Sequence, residues 1–210
     1  CHGSEGALPT LAKGKSAIVA ISRLLTAEEK VSVEKELSRG VIQITVAWDV
    51  MGVIVHPENS IAGLSLVAGK GIWSPSGQGG AVKSWGDLGL TGEWGGLPFT
   101  VIGPGVQHGT RTWMDGMLRG AGLESVQIKE VGTRDEMIRM VTSERGSVGF
   151  VSLSHGGLEK VRVLPIADRD QVLREPAEAE IVNRVYPLMR PLTLVMAETD
   201  GGASGALVDE

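Results

Sequence analysis

The residues most able to do chemistry in this 210-residue sequence are Gly103-Pro104-Gly105 and His108-Gly109-Thr110-Arg111. Phe99, Val101 and Ile102 before them are apolar. Trp113, Met114, Met117, Leu118 and Ala121 after them recur at helical spacing. Over Val101–Gly122 this predicts a strand, a glycine-rich turn and a helix, with Thr110 as N-cap and Gly120 and Gly122 as stop signals. A helix begun at glycine presents backbone N–H groups and the positive end of its dipole. Together they attract an anion without any net charge. Thr110 adds a hydroxyl, and Arg111 a fork able to grip an oxyanion at two points. The plain alternative is an ordinary capped helix.

The elements that must position these groups alternate along the chain. Gly3-Ser4-Glu5-Gly6 leads into a short helix over 7–12, with the Ser4 hydroxyl at its start. Ala17–Ile21 reads as a buried strand ending at Ser22-Arg23. Thr26 with Glu29 is a capping box that opens a helix over 27–38, stopped at Gly40. Val41–Ala47 and Val50–His56 read as two strands, and residues 57–60 as a loop. The Gly- and Trp-rich region 71–96 reads as a structured loop pinned by burial of Trp73, Trp85 and Trp94. Val126–Val131 is a strand. Thr133 and Glu136 form a second capping box, with Met137, Ile138 and Val141 facing inward and Gly146 ending the helix. Ser147–Leu153 and Val161–Leu164 are strands, and a last strand ends near Val195. Alternation of this kind predicts an α/β fold with mainly parallel sheets. Ligands in such sheets sit beyond the carboxyl ends of strands, at helix starts. Gly3–Gly6, Ser22-Arg23 and His108–Arg111 fit that rule.

Composition removes several classes of function. The formal charge is −5 and the basic residues are scattered, so no nucleic-acid partner is expected. No apolar run reaches the roughly 18 residues of a transmembrane helix. Cys1 is the only cysteine, which excludes a disulfide within this sequence and cysteine-based metal sites. It is either a lipid attachment point or simply the first residue of this stretch, and the second reading is preferred. His2, His56, His108 and His155 are scattered without metal-ligand spacing, so no metal is expected. Ser154-His155-Gly156 lacks a nucleophile elbow, and Gly77–Gly80 lacks the Lys-Ser/Thr of a nucleotide loop. Asp87 and Glu93, in a Trp-rich loop, read as turn-fixing and capping carboxylates. No catalytic pair assembles from the sequence, and no cofactor is implied.

Taken in order, several stretches resemble the phosphate-binding members of the periplasmic solute-binding protein superfamily. They are Gly3-Ser4-x-Gly6, Ser22-Arg23-Leu-Leu-Thr26, Trp48-Asp49 before an apolar strand, the Trp85–Trp94 block, Gly109-Thr110-Arg111, Gly149-Phe-Val-Ser152 and Tyr186-Pro-Leu-x-Arg190-Pro-Leu. The resemblance covers nearly the whole sequence. It implies two α/β lobes joined by hinge strands, residues 1–55 with 160–210 forming one and 56–159 the other. It implies a non-enzymatic protein that holds phosphate or a similar oxyanion in an interlobe cleft and delivers it to the membrane subunits of an ABC transporter. The alternative is an interaction or scaffold protein of the same fold without tight anion binding. A periplasmic or extracellular, lipid-anchored location follows only from the resemblance. So does the expectation that an opening strand and a closing helix lie outside this stretch.

By the same resemblance, Ser4, Ser22, Arg23, His108, Gly109, Thr110 and Arg111 are the candidate ligand contacts. The family pattern is broken in places. Pro104 stands where an arginine is usual, His108 where a serine is usual, and no acidic residue occupies Ser22. An aspartate there would accept the proton of a bound phosphate. Without it, Asp49 beside the hinge strand is the candidate acceptor. His108 could donate a hydrogen bond and would make binding pH-dependent.

Overall fold

In a computed structural model, α/β alternation runs through the described residues, 4–73, 82–105, 108–118, 127–154 and 156–198. The elements are α1 (Ser4–Ala12), β1 (Ile18–Ile21), α2 (Ala27–Leu37), β2 (Val41–Val55), β3 (Leu64–Ser65), α3 (Leu66–Trp73), α4 (Gly92–Gly95) and β4 (Thr100–Pro104). They continue with α5 (Gly109–Leu118), β5 (Lys129–Val131), α6 (Arg134–Ser143), β6 (Ser147–Ser152), β7 (Arg162–Val163), β8 (Ile166–Ala167), β9 (Leu173–Arg174), α7 (Glu178–Val182) and β10 (Met189–Ala197). Cys1, His2, Gly3, the Gly77–Gly80 run, Gly120, Gly122 and His155 lie outside the described residues, as does the side chain of Ser4.

The chain divides into two compact units, Cys1–Trp48 with Arg190–Glu210, and Asp49–Met189. The resemblance placed the divisions near 55 and 160. By packing, residues 160–189 go with the second unit, because β7 pairs with β2 (Ile54↔Val163) and β8 with β3 (Leu64↔Ile166).

In the first unit β1 lies antiparallel to β10, with Ile18 opposite Met196 and Ile21 opposite Thr193. Leu8 and Leu11 of α1, Val19, Ile21, Val33, Val41 and Val195 make its core. The capping box of α2 forms as expected. Thr26 Oγ1 accepts the Glu29 N–H, and the Glu29 carboxylate accepts the Thr26 N–H. The helix ends at Leu37, earlier than Gly40, because Ser38 takes the left-handed turn at φ 53°.

The second unit holds a sheet in the order β2-β6-β4-β5, with β7 also on β2. Its two faces alternate as a pleat requires. Met51, Val53, Val55, Val101, Val148 and Phe150 join one core with Met114 of α5. Ile54, Ile102 and Val151 join the other with Met137, Ile138 and Val141 of α6. The expectation of mainly parallel sheets is not met: among the described strand pairs, β4 with β5, β4 with β6 and β3 with β8 are parallel. The pairs β1–β10, β2–β6, β2–β7 and β8–β9 are antiparallel. Parallel neighbours need a crossover, which α5 and α6 supply for β4, β5 and β6; β8 and β9 follow one another through a short turn.

Two further differences from the sequence reading bear on the site. The two strands expected at 41–47 and 50–56 are one strand, β2, which runs through Trp48-Asp49 without a break. Gly52 does not interrupt it; a Cβ there would meet Leu153 Cδ2 at 2.5 Å, so glycine lets that side chain close over the strand. Tyr186 caps the same region by donating its hydroxyl to the Met51 carbonyl at 3.1 Å, and burial pushes its phenol above the ordinary range.

Within the Trp-rich stretch the expected burial holds for Trp73, which ends α3 instead of lying in a loop, and for Trp85, whereas Trp94 in α4 is half-buried; residues 74–81 lie outside the described residues. Trp85 is fully buried, lies 4.7 Å from Phe99 between ring centres, and donates its indole N–H to the Gly146 carbonyl at 3.3 Å. The Asp87 carboxylate accepts the N–H groups of Lys83 and Ser84, which lowers its pKa. Glu93 pairs with Arg145, whose guanidinium also lies 4.5 Å over the Trp94 ring.

Candidate functional site

The carboxyl ends of β4, β5 and β6 lie at one edge of the second unit's sheet. Register fixes this: Ile102 is opposite Gly149, and Pro104 opposite Val131, in parallel ladders. The chain leaves that edge into the start of α5, the start of α6 and the turn at Leu153-Ser154. The antiparallel β2 brings Asp49 to the same edge, since Met51 is opposite Ser152. In open α/β sheets this is where ligands bind.

At the start of α5 the sequence expectation needs one correction. Thr110 is not the N-cap; the helix begins at Gly109 and His108 caps it. The His108 carbonyl accepts the N–H groups of Arg111 and Thr112 at 2.8 and 3.1 Å. Its imidazole Nδ1 accepts the Thr110 N–H at 3.2 Å. An acceptor at Nδ1 puts the ring proton on Nε2. The expected Thr110 amide is therefore occupied from within the turn. Among the described residues, the Gly109 N–H and the Thr110 hydroxyl have no hydrogen-bond partner. Thr110 as a residue is buried, 8% exposed, at this helix start.

Arg111 is buried, and its Nε lies 3.1 Å from both oxygens of Asp115. Its Nη1 donates to the Pro104 carbonyl at 3.4 Å and lies 4.0 Å from Glu130. The guanidinium ties α5 to the ends of β4 and β5. The sequence carried the signal for this in the i,i+4 spacing of Arg111 and Asp115.

Sequence reasoning noted Ser152 and Ser154 without placing them in the site. Ser152 Oγ donates to Asp49 Oδ1 at 2.5 Å, and Ser152 Oγ and Ser154 Oγ lie 2.7 Å apart. Asp49 is 8% exposed. The signal available was a hydroxyl pair, Ser-x-Ser, at the end of a buried strand.

The remaining candidates lie in the first unit. Ser4 is the first residue of α1. Ser22 is half-buried just after β1. The Arg23 guanidinium makes two 2.6 Å bonds to Glu29 and a third, at 3.1 Å, to the Leu24 carbonyl. It borders a groove of about 540 Å³ between α1 and α2, together with Leu8, Lys13 and Glu36. Among the described residues no helix is long and apolar enough to cross a membrane.

Comparison with known proteins places this geometry in a family. A family profile described as a PBP superfamily domain matches residues 2–208, and the chain belongs to that superfamily. A curated relative, the phosphate-binding protein PstS of Pseudomonas aeruginosa, is 26% identical over 192 residues. That match covers 90% of this chain and 59% of the relative, so the chain spans well under two thirds of its length. Among solved structures, an ABC-type phosphate transport receptor from Vibrio cholerae aligns with a TM-score of 0.75 at 19% identity, covering 98% of this chain and 77% of that one. PstS from Borrelia burgdorferi aligns with a TM-score of 0.67 at 17% identity, over 99% and 77% of the two chains. At these identities the structures establish the fold, a two-lobe periplasmic-binding-protein fold.

Proposed function

We propose that this protein binds phosphate or a similar oxyanion, without catalysis, and delivers it to the membrane subunits of an ABC transporter. One observation carries the reading. The Gly109 N–H and the hydroxyl of Thr110 stand at the start of α5, on the carboxyl edge of a partly parallel sheet. Donors in that setting attract a small anion through hydrogen bonds and the helix dipole together. The names of the relatives, phosphate-binding protein and phosphate transport receptor, support the choice of guest. His108 joins the set through its Nε2–H. Arg111 is the positive charge behind the helix start. Ser4, Ser22 and Arg23 are the contacts proposed from the first unit. A periplasmic or extracellular site of action, with or without a lipid anchor, accompanies this role.

Titration calorimetry with phosphate, sulfate and a larger phosphonate tests the reading. Saturable phosphate binding is the expected result. Folded protein that takes up none of the three anions overturns it and leaves a scaffold of the same fold.

A further inference from the structure

In the first unit α1 and α2 cover the sheet face that carries Val19, Ile21, Val41 and Val195. Alternate residues of the same strands must point to the other face. On β2 these are Ile42, Ile44, Val46 and Trp48. The residues between them, Gln43 and Thr45, point to the helix side, where the Gln43 side-chain carbonyl accepts the Leu25 N–H at 2.8 Å. This stretch therefore turns its polar residues toward the helices and its apolar ones away. An alternating strand shows by its apolar side which face is to be buried.

The apolar face continues across the unit. β10 lies between β1 and β2, and its Met196 and Leu194 stand opposite Ile18 and Ala20 of β1 in the antiparallel ladder. None of these side chains is charged. Yet Ile18 is 43% exposed, Val46 57% and Trp48 40%. Three neighbouring strands thus present one continuous apolar surface to solvent, and surfaces of that kind mark interaction sites.

We propose that two copies of this chain associate through this face, sheet against sheet. Two features select a second copy as the occupant. With no charge on the face, it meets its own image without burying an unpaired ion. Its exposed apolar area is on the order of 500 Å², so two copies together cover about 1,000 Å², the lower limit of a specific interface. Sheets pack in this way with the side chains of the two inner faces interdigitating. Trp48, the largest exposed side chain of the face, is its anchor. The inference is independent of the anion-binding reading.

Analytical ultracentrifugation of the full chain tests it, over about 1–100 μM, the range suited to an interface this small. Wild type, 22.1 kDa as a single chain, should approach twice that mass as its concentration rises. Ile18→Lys and Val46→Lys should each weaken the association at least about tenfold, because each brings an unpaired charge into the contact. Val31→Lys, at an exposed position of α2 away from the face, should associate like wild type. Circular dichroism checks that each variant folds; if neither face variant does, Val46→Thr, which keeps the side-chain shape, should still weaken association severalfold. Wild type that remains a single chain throughout the range overturns the proposal and leaves the face to a different polypeptide. A dimer whose affinity is unchanged in the folded face variants overturns it as well, and so does equal weakening by Val31→Lys.

Discussion

Thr110 donates its backbone N–H to Nδ1 of His108 at 3.2 Å, so the ring of one candidate ligand residue holds the amide of another. Removing that acceptor leaves an orphan donor at the start of α5. His108→Ala should lower stability by about 1 kcal/mol, and His108→Ser, a strong N-cap, should restore most of it. Urea midpoints at unchanged denaturant slope would read this directly. No difference between the alanine and serine variants would show that the ring does not cap the helix.

Thr110→Ala should weaken phosphate binding by about 1–3 kcal/mol, because a guest oxygen loses a buried donor. Thr110→Ser should retain most of the affinity. Calorimetry on both variants separates loss of the hydroxyl from loss of the methyl packing. Equal weakening in the two would assign the effect to packing.

Arg23 and Glu29 make a prediction about acid stability. The Arg23 hydrogen bonds are the main cause that holds the Glu29 carboxyl below its ordinary value of 4.5. Burial opposes them, and the Thr26 N–H and the Arg23 charge add to them. A carboxyl depressed in the folded state contributes stability that is fully present above 4.5 and lost as pH falls through the folded value. Both side chains are partly exposed, at 22% and 31%, so the ion pair itself is screened and adds little. Glu29→Gln should cost about 1 kcal/mol at neutral pH, chiefly through the weakened helix cap. The gap between variant and wild type should close as pH falls below the carboxylate range. Denaturation of both proteins across that range checks the sign; a gap that widens in acid would contradict it.

Trp85→Ala should cost about 3–5 kcal/mol, the range for emptying a fully buried aromatic site. Trp85→Phe should cost less, because it keeps a ring against Phe99 while losing the bond to the Gly146 carbonyl and part of the indole's volume. Thermal denaturation of the two variants gives the comparison.

What the sequence disclosed and what it hid divide along one physical line. The Thr26–Glu29 box and the Thr133 cap were legible because each is closed within a few residues. Even there, Glu136 reaches back to the Gly132 N–H instead of completing the second box at Thr133. The faces of β6 and α6 followed from their periods alone. The continuity of β2 was not legible, because a polar Trp48-Asp49 reads as a break until Ser152, 103 residues away, satisfies the carboxylate. The His108 cap was hidden because histidine is an uncommon residue at that position, and its role depends on which ring nitrogen faces the helix. Arg111 was read as a ligand fork from its position, although its i,i+4 partner Asp115 was in plain view.

The unbroken course of β2 constrains how the gene can change. One codon inserted or deleted near Trp48 would turn every later side chain of the strand to the opposite side, taking Met51, Val53 and Val55 from one core and Ile54 from the other. Length variation among descendants of this sequence should therefore collect in loops such as 57–60. The count from Val41 to Val55 should stay fixed even where the identities of its residues drift.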